Sequence, residues 1–542
     1  METPHAQTYG FDPRRLEKRA VLYSRDNNPY PYTFSPTHQV GQVLEEAHAR
    51  EQAGQALALW VRLAGRIWAR RDMGRACFMD LQDQSGKVQL YFNQKILGPA
   101  WEELFLLDLG DLVGIEGEVF RTRTGELSVQ VKHWLFLAKA LVPIPIGKES
   151  EEAVYYRMTD LEARYRERHL HWLLDRPDRE RLRQRSRIIS SLRRQMEANA
   201  FLEVATPTIT ATYGGAEAHP FTTAVRALDN QEQFLRISPE LHLKRYIVAG
   251  FEKVFTICQN FRNEGIDRSH NPEFTMMEWY EAFTDYEEQM CRFEDLVAGV
   301  CAEVCGSAHI VYQGTELDFS PSWRRLSMLD ALREHAGVDA GALSAQELQV
   351  ELERRGVESA EPLSWGLAVA RLFEVACEGC LVQPTFVLDH PLEISPLARV
   401  RRGDGRLAER FEVYVCGMEL GNAYSELTDP LEQLDRFLAQ RRTQGEATHP
   451  LDADFVRALG CGMPPTGGVG LGIDRLVMLL TDAASIRDVI PFPMVKARQP
   501  ATEQISGTGS ERVCGLAVDN NRDNNNQGNN NHTSDGETAM AG

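Results

Sequence analysis

The stretch 259–280, QNFRNEGIDRSHNPEFTMMEWY, constrains what this chain can fold into more than any other. It begins as a short strand run, breaks into a polar, turn-rich segment over 265–272, and resumes as PEFTMMEWY. Side chains alternate across a strand, so Phe274, Met276, Glu278 and Tyr280 share one face of the returning run. By the same period Arg262 and Glu264 share a face of the incoming one. A guanidinium, an aromatic ring and a carboxylate then look into one space, a set suited to a phosphate, a base and a cationic group. An ordinary hairpin with solvated charges has the same periodicity, so it is the particular residue string that separates the two readings.

At 542 residues the chain has room for two or three domains with ample core. Hydrophobic residues at 43% and charged residues at 25% are ordinary for a soluble globular protein. No apolar run approaches membrane-spanning length and METPHAQTYGFDPRR lacks an apolar signal core, so no membrane partner and a cytoplasmic location are expected. The ten cysteines are scattered, and only Cys377 and Cys380 have chelating spacing, without a second pair or a His nearby. No zinc is expected, and reduced thiols fit the cytosol. A net charge of −19 opposes a general nucleic-acid coat but allows a local basic surface, because a field follows the distribution of charge.

In order, residues 1–55 read as a helical leader, with patches over 16–23 and 38–55. From 56 to 142, five strand runs separated by turns suggest an OB-fold barrel of the kind that binds single-stranded nucleic acid. Met79 and Leu81 alternate with Phe78 and Asp80, and Val88, Leu90 and Phe92 with Gln89 and Tyr91. One face is therefore apolar, while the other offers rings and an amide for stacking and base edges. Arg62, Arg66, Arg70, Arg71 and Arg75 add positive charge. Residues 143–180 form a linker or hinge. From Arg157 to Arg194 twelve arginines face six acids, either a solvated helix face or a hinge toward a polyanion.

A second domain is expected over 181–497. It opens with a helix over 184–199 and the strand FLEVATPTIT, continues mostly helical from 281 to 400, and carries an insertion at about 300–390. In FEVYVCGMELGNAYSEL, 411–427, a two-residue turn at Cys416 and Gly417 sets Tyr414 opposite Glu419 and makes Glu412 a diagonal neighbour of Glu419. Two such carboxylates on one face suit a shared hard cation. The opposite parity of Asn422 and Glu426 implies a bulge near Gly421. GGVGLGIDRLVMLL, 467–480, is a glycine-rich strand entering a helix with Asp474 as a candidate cap, and no βαβ unit follows to support a dinucleotide fold. Residues 498–542 are Asn-rich and expected to be disordered.

These strings resemble lysyl-tRNA synthetases of class II, subclass IIb, with motif 1 at about 184–209, motif 2 at about 259–280 and motif 3 at about 467–480. The resemblance covers roughly residues 20–497. It implies an α+β multidomain protein: an N-terminal five-stranded OB-fold β-barrel, then a catalytic domain built on an antiparallel sheet flanked by helices. It implies a homodimer acting on ATP, L-lysine and tRNA(Lys) with Mg²⁺. Arg262 and Arg475 would be catalytic, meeting the α- and γ-phosphates. Glu264, His270, Asn271 and Phe274 would complete the ATP site with Glu412, and Glu412 and Glu419 would hold Mg²⁺. Glu278, Tyr280 and Glu426 would take the lysine side chain, with Glu240 and Asn422 toward its backbone end. Phe78, Gln89 and Glu126 would read the anticodon. His219 and Ser269 depart from residues common in the family. The rival readings are an aspartate or asparagine enzyme of the same subclass, a relative that ligates lysine-like substrates to a protein, and a silent tRNA-binding paralogue.

Overall fold

The computed structural model describes residues 10–145, 149–150, 153–154, 158, 160–444 and 451–496. The Asn-rich tail at 498–542 lies outside the described residues.

Helix α1 (Pro13–Ser24) starts where the Asp12 carboxylate accepts from the amides of Arg14 and Arg15, with proline in the first turn. Helix α2 (Val40–Gln52) is capped reciprocally by Gln39 and Gln42. The leader does not stand alone: Leu22, Val40, Val43 and Ala47 are buried in the same apolar cluster as the barrel interior. That barrel is closed, from β1 (Trp60–Met73), β2 (Ala76–Gln82), β3 (Lys87–Asn93), β4 (Leu112–Arg121) and β5 (Leu127–Ala138), in the order β1-β2-β3-β5-β4. Cys77, Met79, Leu81, Val88, Leu90 and Phe92 point inward and are buried. Phe78, Asp80, Gln89 and Tyr91 stay partly exposed on the other face, as strand alternation requires.

Helix α3 (Arg176–Ala198) begins well before the expected 184–199, because Asp175 caps it and Pro177 fits the first turn. Its Ile188, Leu192 and Met196 join a core shared with Phe293, Val297 and Cys301. The expected strand after α3 is mostly lost: only β6 (Leu202–Glu203) joins the main sheet, and Ile209–Thr210 pairs in a separate three-stranded sheet. Pro207, with no N–H to donate, lies in the break. Helix α4 (Glu240–Val248) precedes the hairpin β7 (Lys253–Phe261) and β8 (Glu273–Ala282), after which comes α5 (Tyr286–Cys305).

The helical expectation for 281–400 holds for α5 and for SAQELQVELERR, which forms the helix Ala345–Arg354, and fails for the short strands between. β9 (Arg324–Ser327) and β10 (Thr385–Leu388) pair in parallel and belong to the central sheet. The segment expected as an insertion, 300–390, thus contributes two sheet strands, and its helices Ala345–Arg354 and Trp365–Ala376 lie in the crossover between them. Strands of four residues are too short to show a period. β11 (Arg410–Val415), β12 (Met418–Ser425) and β13 (Thr466–Gly472) complete eight strands in the order β9-β10-β11-β12-β13-β8-β7-β6. The pairs β7/β6 and β9/β10 are parallel and the rest antiparallel. Helix α6 (Ile473–Leu480) follows β13 directly.

The arginine-rich run is only partly a solvated face. Arg168 is buried and its guanidinium donates to the carbonyls of Arg487, Asp488, Ile490 and Pro491, clamping the segment after α6. Arg185 pairs with Asp474 inside the protein and donates to Thr275 Oγ1 at 2.9 Å. Asp474 does not cap α6, since Gly472 holds that position. It ties α3, β8 and α6 together, accepting also from the Thr275 amide at 2.6 Å.

Candidate active site

Strands β8, β13, β12 and β11 floor a cavity of about 500 Å³. Its lining includes twelve of the thirteen residues assigned from sequence to nucleotide, metal and amino acid. Arg262, Glu264, His270, Asn271 and Phe274 come from β8 and the loop before it. Glu240, Glu278 and Tyr280 stand toward one end, Glu412, Glu419 and Asn422 on the facing hairpin, and Arg475 on the first turn of α6. Glu426 is the exception, fully buried behind the wall.

Arg262 and Glu264 lie just past the end of β7, in the loop. The Arg262 guanidinium stacks over the Phe274 ring, 5.0 Å from its centroid, and its Nε is buried without a hydrogen-bond partner. Burial draws its pKa down, while Glu419, Glu264 and Glu278 oppose the shift. Arginine stays charged in proteins, so this is a cation short of partners beside an aromatic face. Asn271 is buried, with Nδ2 donating to the Glu273 carbonyl at 2.6 Å and Oδ1 unpartnered. His270 is held by Asp267, 2.8 Å from its Nδ1, and its Nε2 is 3.2 Å from an Arg475 nitrogen. The Ser269 amide donates to Asp267 Oδ1 at 2.7 Å and the Asn263 amide to the His219 carbonyl at 2.8 Å, main-chain bonds that do not depend on either side chain.

The β11–β12 hairpin turns at Cys416 and Gly417 with φ of 50° and 70°, the left-handed pair that a two-residue hairpin needs. Tyr414 faces Glu419, but Val413 faces Gly421, which leaves Leu420 as the extra residue of a bulge. Asn422 thereby falls opposite Glu412 and Tyr424 opposite Arg410. Partly buried Arg410, which sequence reasoning missed, donates to Glu412 Oε1 at 2.5 Å and to Asn422 Oδ1 at 3.3 Å. The Tyr414 hydroxyl donates to Glu412 Oε2 at 2.7 Å and lies 3.1 Å from Glu378 Oε1. Burial pushes Glu378 up to about 7; the Tyr414 hydrogen bond opposes this and Glu374, Glu412 and Glu419 reinforce it. An excess of carboxylate thus gathers on this wall. Among the described residues no three or more His, Cys, Asp or Glu side chains form a metal cage. Two carboxylates suffice for a Mg²⁺ that also rests on phosphate oxygens, so the donor set fits that ion.

At the other end Glu278 is buried, accepting from Ser238 Oγ at 3.0 Å and from the Tyr280 hydroxyl at 3.5 Å. Burial pushes it up to about 8, with Glu240 adding to the rise. Glu240 and Glu426 are each paired to Lys244, a fully buried lysine on α4 that the sequence reading did not single out. Its only local signal is the Glu240/Lys244 spacing of one helical turn, which usually marks an exposed helix pair. Gly468 makes this packing possible, because a Cβ there would lie 2.0 Å from Glu426 Oε1 and 2.4 Å from Tyr280 Cε1.

The barrel residues form a separate group. The Phe78 and Tyr91 rings are 5.1 Å apart, and Tyr91 contacts Phe120 at 5.8 Å, which makes an aromatic strip on the outer face. Gln89 Oε1 accepts from Ser128 Oγ at 2.8 Å, and Glu126 is exposed in the turn after β4. Most nearby arginines are paired, Arg62 with Glu116 at 2.9 Å and Arg71 with Asp80 at 3.0 Å.

A closed five-stranded barrel followed by an antiparallel sheet, with arginines and acids meeting over its middle strands and a glycine-rich strand running into a helix, is the build of a class II aminoacyl-tRNA synthetase. Comparison with known proteins agrees. The family model for tRNA synthetases class II (D, K and N) matches residues 160–496, and that for the OB-fold nucleic acid binding domain matches residues 61–137. A lysine–tRNA ligase of Pelotomaculum thermopropionicum is 45% identical over 492 residues, 90% of this chain and 94% of its own length. Lysine–tRNA ligases of Synechococcus sp. (strain RCC307) and Nostoc punctiforme are 44% and 42% identical, over 89% and 91% of this chain and 95% and 89% of their own lengths. The chain belongs to the class II tRNA synthetases of the D, K and N group.

Proposed function

We propose that this enzyme is a lysine–tRNA ligase, and that the residues gathered in the cavity divide the work as follows. The observation that carries the reading is one cavity lined by the buried carboxylates of Glu240 and Glu278 and by two arginines, Arg262 and Arg475. Glu278 and Tyr280, backed by Glu426, take the lysine side-chain ammonium. Glu240 and Asn422 serve the backbone end. A buried ammonium is tolerated only when paired, so this set rejects neutral side chains and opposes the carboxylate of aspartate. Phe274 stacks on adenine, and Asn271, with its unpartnered oxygen, meets the nucleoside.

The lysine carboxylate attacks the α-phosphorus of ATP, a P–O bond forms as the bond to pyrophosphate breaks, and lysyl-adenylate results. Arg262, short of partners in the resting cavity, is free to meet the α-phosphate charge, and Arg475 the far phosphates, both held in place beforehand. Glu412 and Glu419 would hold Mg²⁺, which shields the phosphate oxygens when bound. A ribose hydroxyl of the terminal adenosine of tRNA(Lys) then displaces AMP. The outer barrel face, through Phe78, Gln89 and Glu126, reads the anticodon. Exposed Leu202, on the edge strand β6, supports a homodimer built on that edge. Among the described residues no helix is long and apolar enough to cross a membrane, and a cytoplasmic enzyme accords with the reading.

ATP–pyrophosphate exchange with each amino acid in turn tests it. Lysine should stimulate exchange; stimulation by aspartate and not by lysine would overturn the assignment.

A further inference from the structure

Three carboxylates, Glu240, Glu278 and Glu426, lie at the amino-acid end, all buried. A free lysine brings two ammonium groups there, while its carboxylate goes to the phosphate end. Three negative charges against two positive ones would leave an uncompensated charge in a dry site, which is costly. The protein supplies the third cation. The Lys244 Nζ sits 2.6 Å from Glu240 Oε1 and 2.5 Å from Glu426 Oε2, with no solvent exposure.

Resting on the lysine-ligase reading, we propose that Lys244 is the positioning residue that sets the charge of the amino-acid pocket: it offsets one of three buried carboxylates and leaves two, one for each ammonium of the substrate. It does so by holding one oxygen of each of two side chains that reach it from different elements, α4 and the segment just after β12. Both Glu426 oxygens are buried without a hydrogen bond: Oε2 has the Lys244 ion pair, while Oε1, facing Tyr280 across Gly468, has no such cation. An unsatisfied buried acceptor beside a cavity is a costly feature unless a ligand completes it.

The charged and titratable groups around Lys244 all bear on this balance. Glu240 is on its own helix, Glu278 and Tyr280 on β8, and Tyr424 and Glu426 on or just past β12. Phe455 closes the remaining side with its ring, 5.9 Å from Nζ. With both acids as partners, Lys244 stays protonated despite burial, its pKa raised. Without it, Glu426, whose carboxyl burial pushes up to about 8 even with Lys244 beside it, would hold its proton more firmly. The pocket would then present less negative charge to its cationic substrate until alkaline pH removed that proton.

The test measures ATP–pyrophosphate exchange by the full-length enzyme against lysine concentration, between about pH 6.5 and pH 8.5. Lys244→Met should raise the lysine KM about tenfold or more near pH 7, leave the ATP KM within about twofold, and recover toward wild type as pH rises. Lys244→Arg, which keeps the charge, should keep the wild-type pH profile. Should Lys244→Met not fold, Lys244→Gln carries the same expectations. A folded Met or Gln variant with the wild-type lysine KM and pH slope would overturn the assignment. So would an equal rise in the lysine and ATP KM values, which would mark a merely structural residue. Wild-type enzyme that lysine does not stimulate would instead sink the proposed function.

Discussion

Replacing Glu278 with Gln keeps the shape of the pocket and removes the charge proposed above to meet the lysine side chain. Taking away one partner of a buried ion pair costs about 3–5 kcal/mol. That full amount does not appear near pH 7. The empty pocket holds a proton on Glu278, because burial pushes this carboxyl up to about 8. Lysine must drive the proton off, which consumes a little over 1 kcal/mol, at about 1.4 kcal/mol for each tenfold change. Roughly 2–4 kcal/mol remain, a rise in lysine KM of about thirty- to several-hundred-fold. The sign of the pH effect follows. Wild-type lysine KM should fall from about pH 7 to pH 8.5 as the proton becomes easier to remove, and the Gln variant, having no proton to lose there, should show a flatter profile. ATP–pyrophosphate exchange across that range measures both, with the ATP KM as control. Equal losses in lysine and ATP use, or the same pH slope in both proteins, would refute the reasoning.

The raised pKa of Glu278 also bears on stability. A carboxyl raised to about 8 binds its proton more tightly folded than unfolded, so its contribution is intact in acid and lost as pH climbs toward 8. Lysine at saturation should therefore raise Tm more near pH 8 than near pH 6, and a pH-independent rise in thermal melts would contradict this. Glu412→Gln should increase the Mg²⁺ concentration needed for half-maximal exchange severalfold without a like change in lysine KM; an unaltered Mg²⁺ titration would remove Glu412 from that role. Phe78→Ala should impair tRNA(Lys) charging while sparing pyrophosphate exchange, and loss of exchange would show that the barrel face acts elsewhere. Asp474→Asn leaves Arg185 buried without its counter-charge and should cost about 3–5 kcal/mol in denaturant unfolding; a change below about 1 kcal/mol would mean that the pair is not what joins α3 to α6.

Much of this site was legible because its residues sit in strands with a strict period of two. Phe274, Glu278 and Tyr280 follow from one alternation, and Phe78 and Gln89 from another. The Cys416 and Gly417 turn fixes the register of its hairpin, and the parity conflict between Glu419 and Asn422 is itself the trace of the bulge at Leu420. What escaped the sequence reading lacks a local pattern. Lys244 looks like half of a surface helix pair until Glu426, far along the chain, is brought beside it. Arg185 reads as one arginine among many, and only the fold sets it against Asp474. β9 and β10 pair across a long crossover, so neither carries its partner's signature.

The single extra residue at Leu420 has a consequence for how this surface tolerates change. A strand sorts its side chains strictly by odd and even count, and Leu420 is where that count restarts. Before it, Glu419 is turned toward Arg475; after it, Asn422 and Tyr424 are turned toward Arg410. Losing one residue there would leave the first half correctly aimed and rotate the second half out of reach, so the two halves of one strand would no longer line one cavity. Point substitutions around the turn can be absorbed, whereas a change in length cannot.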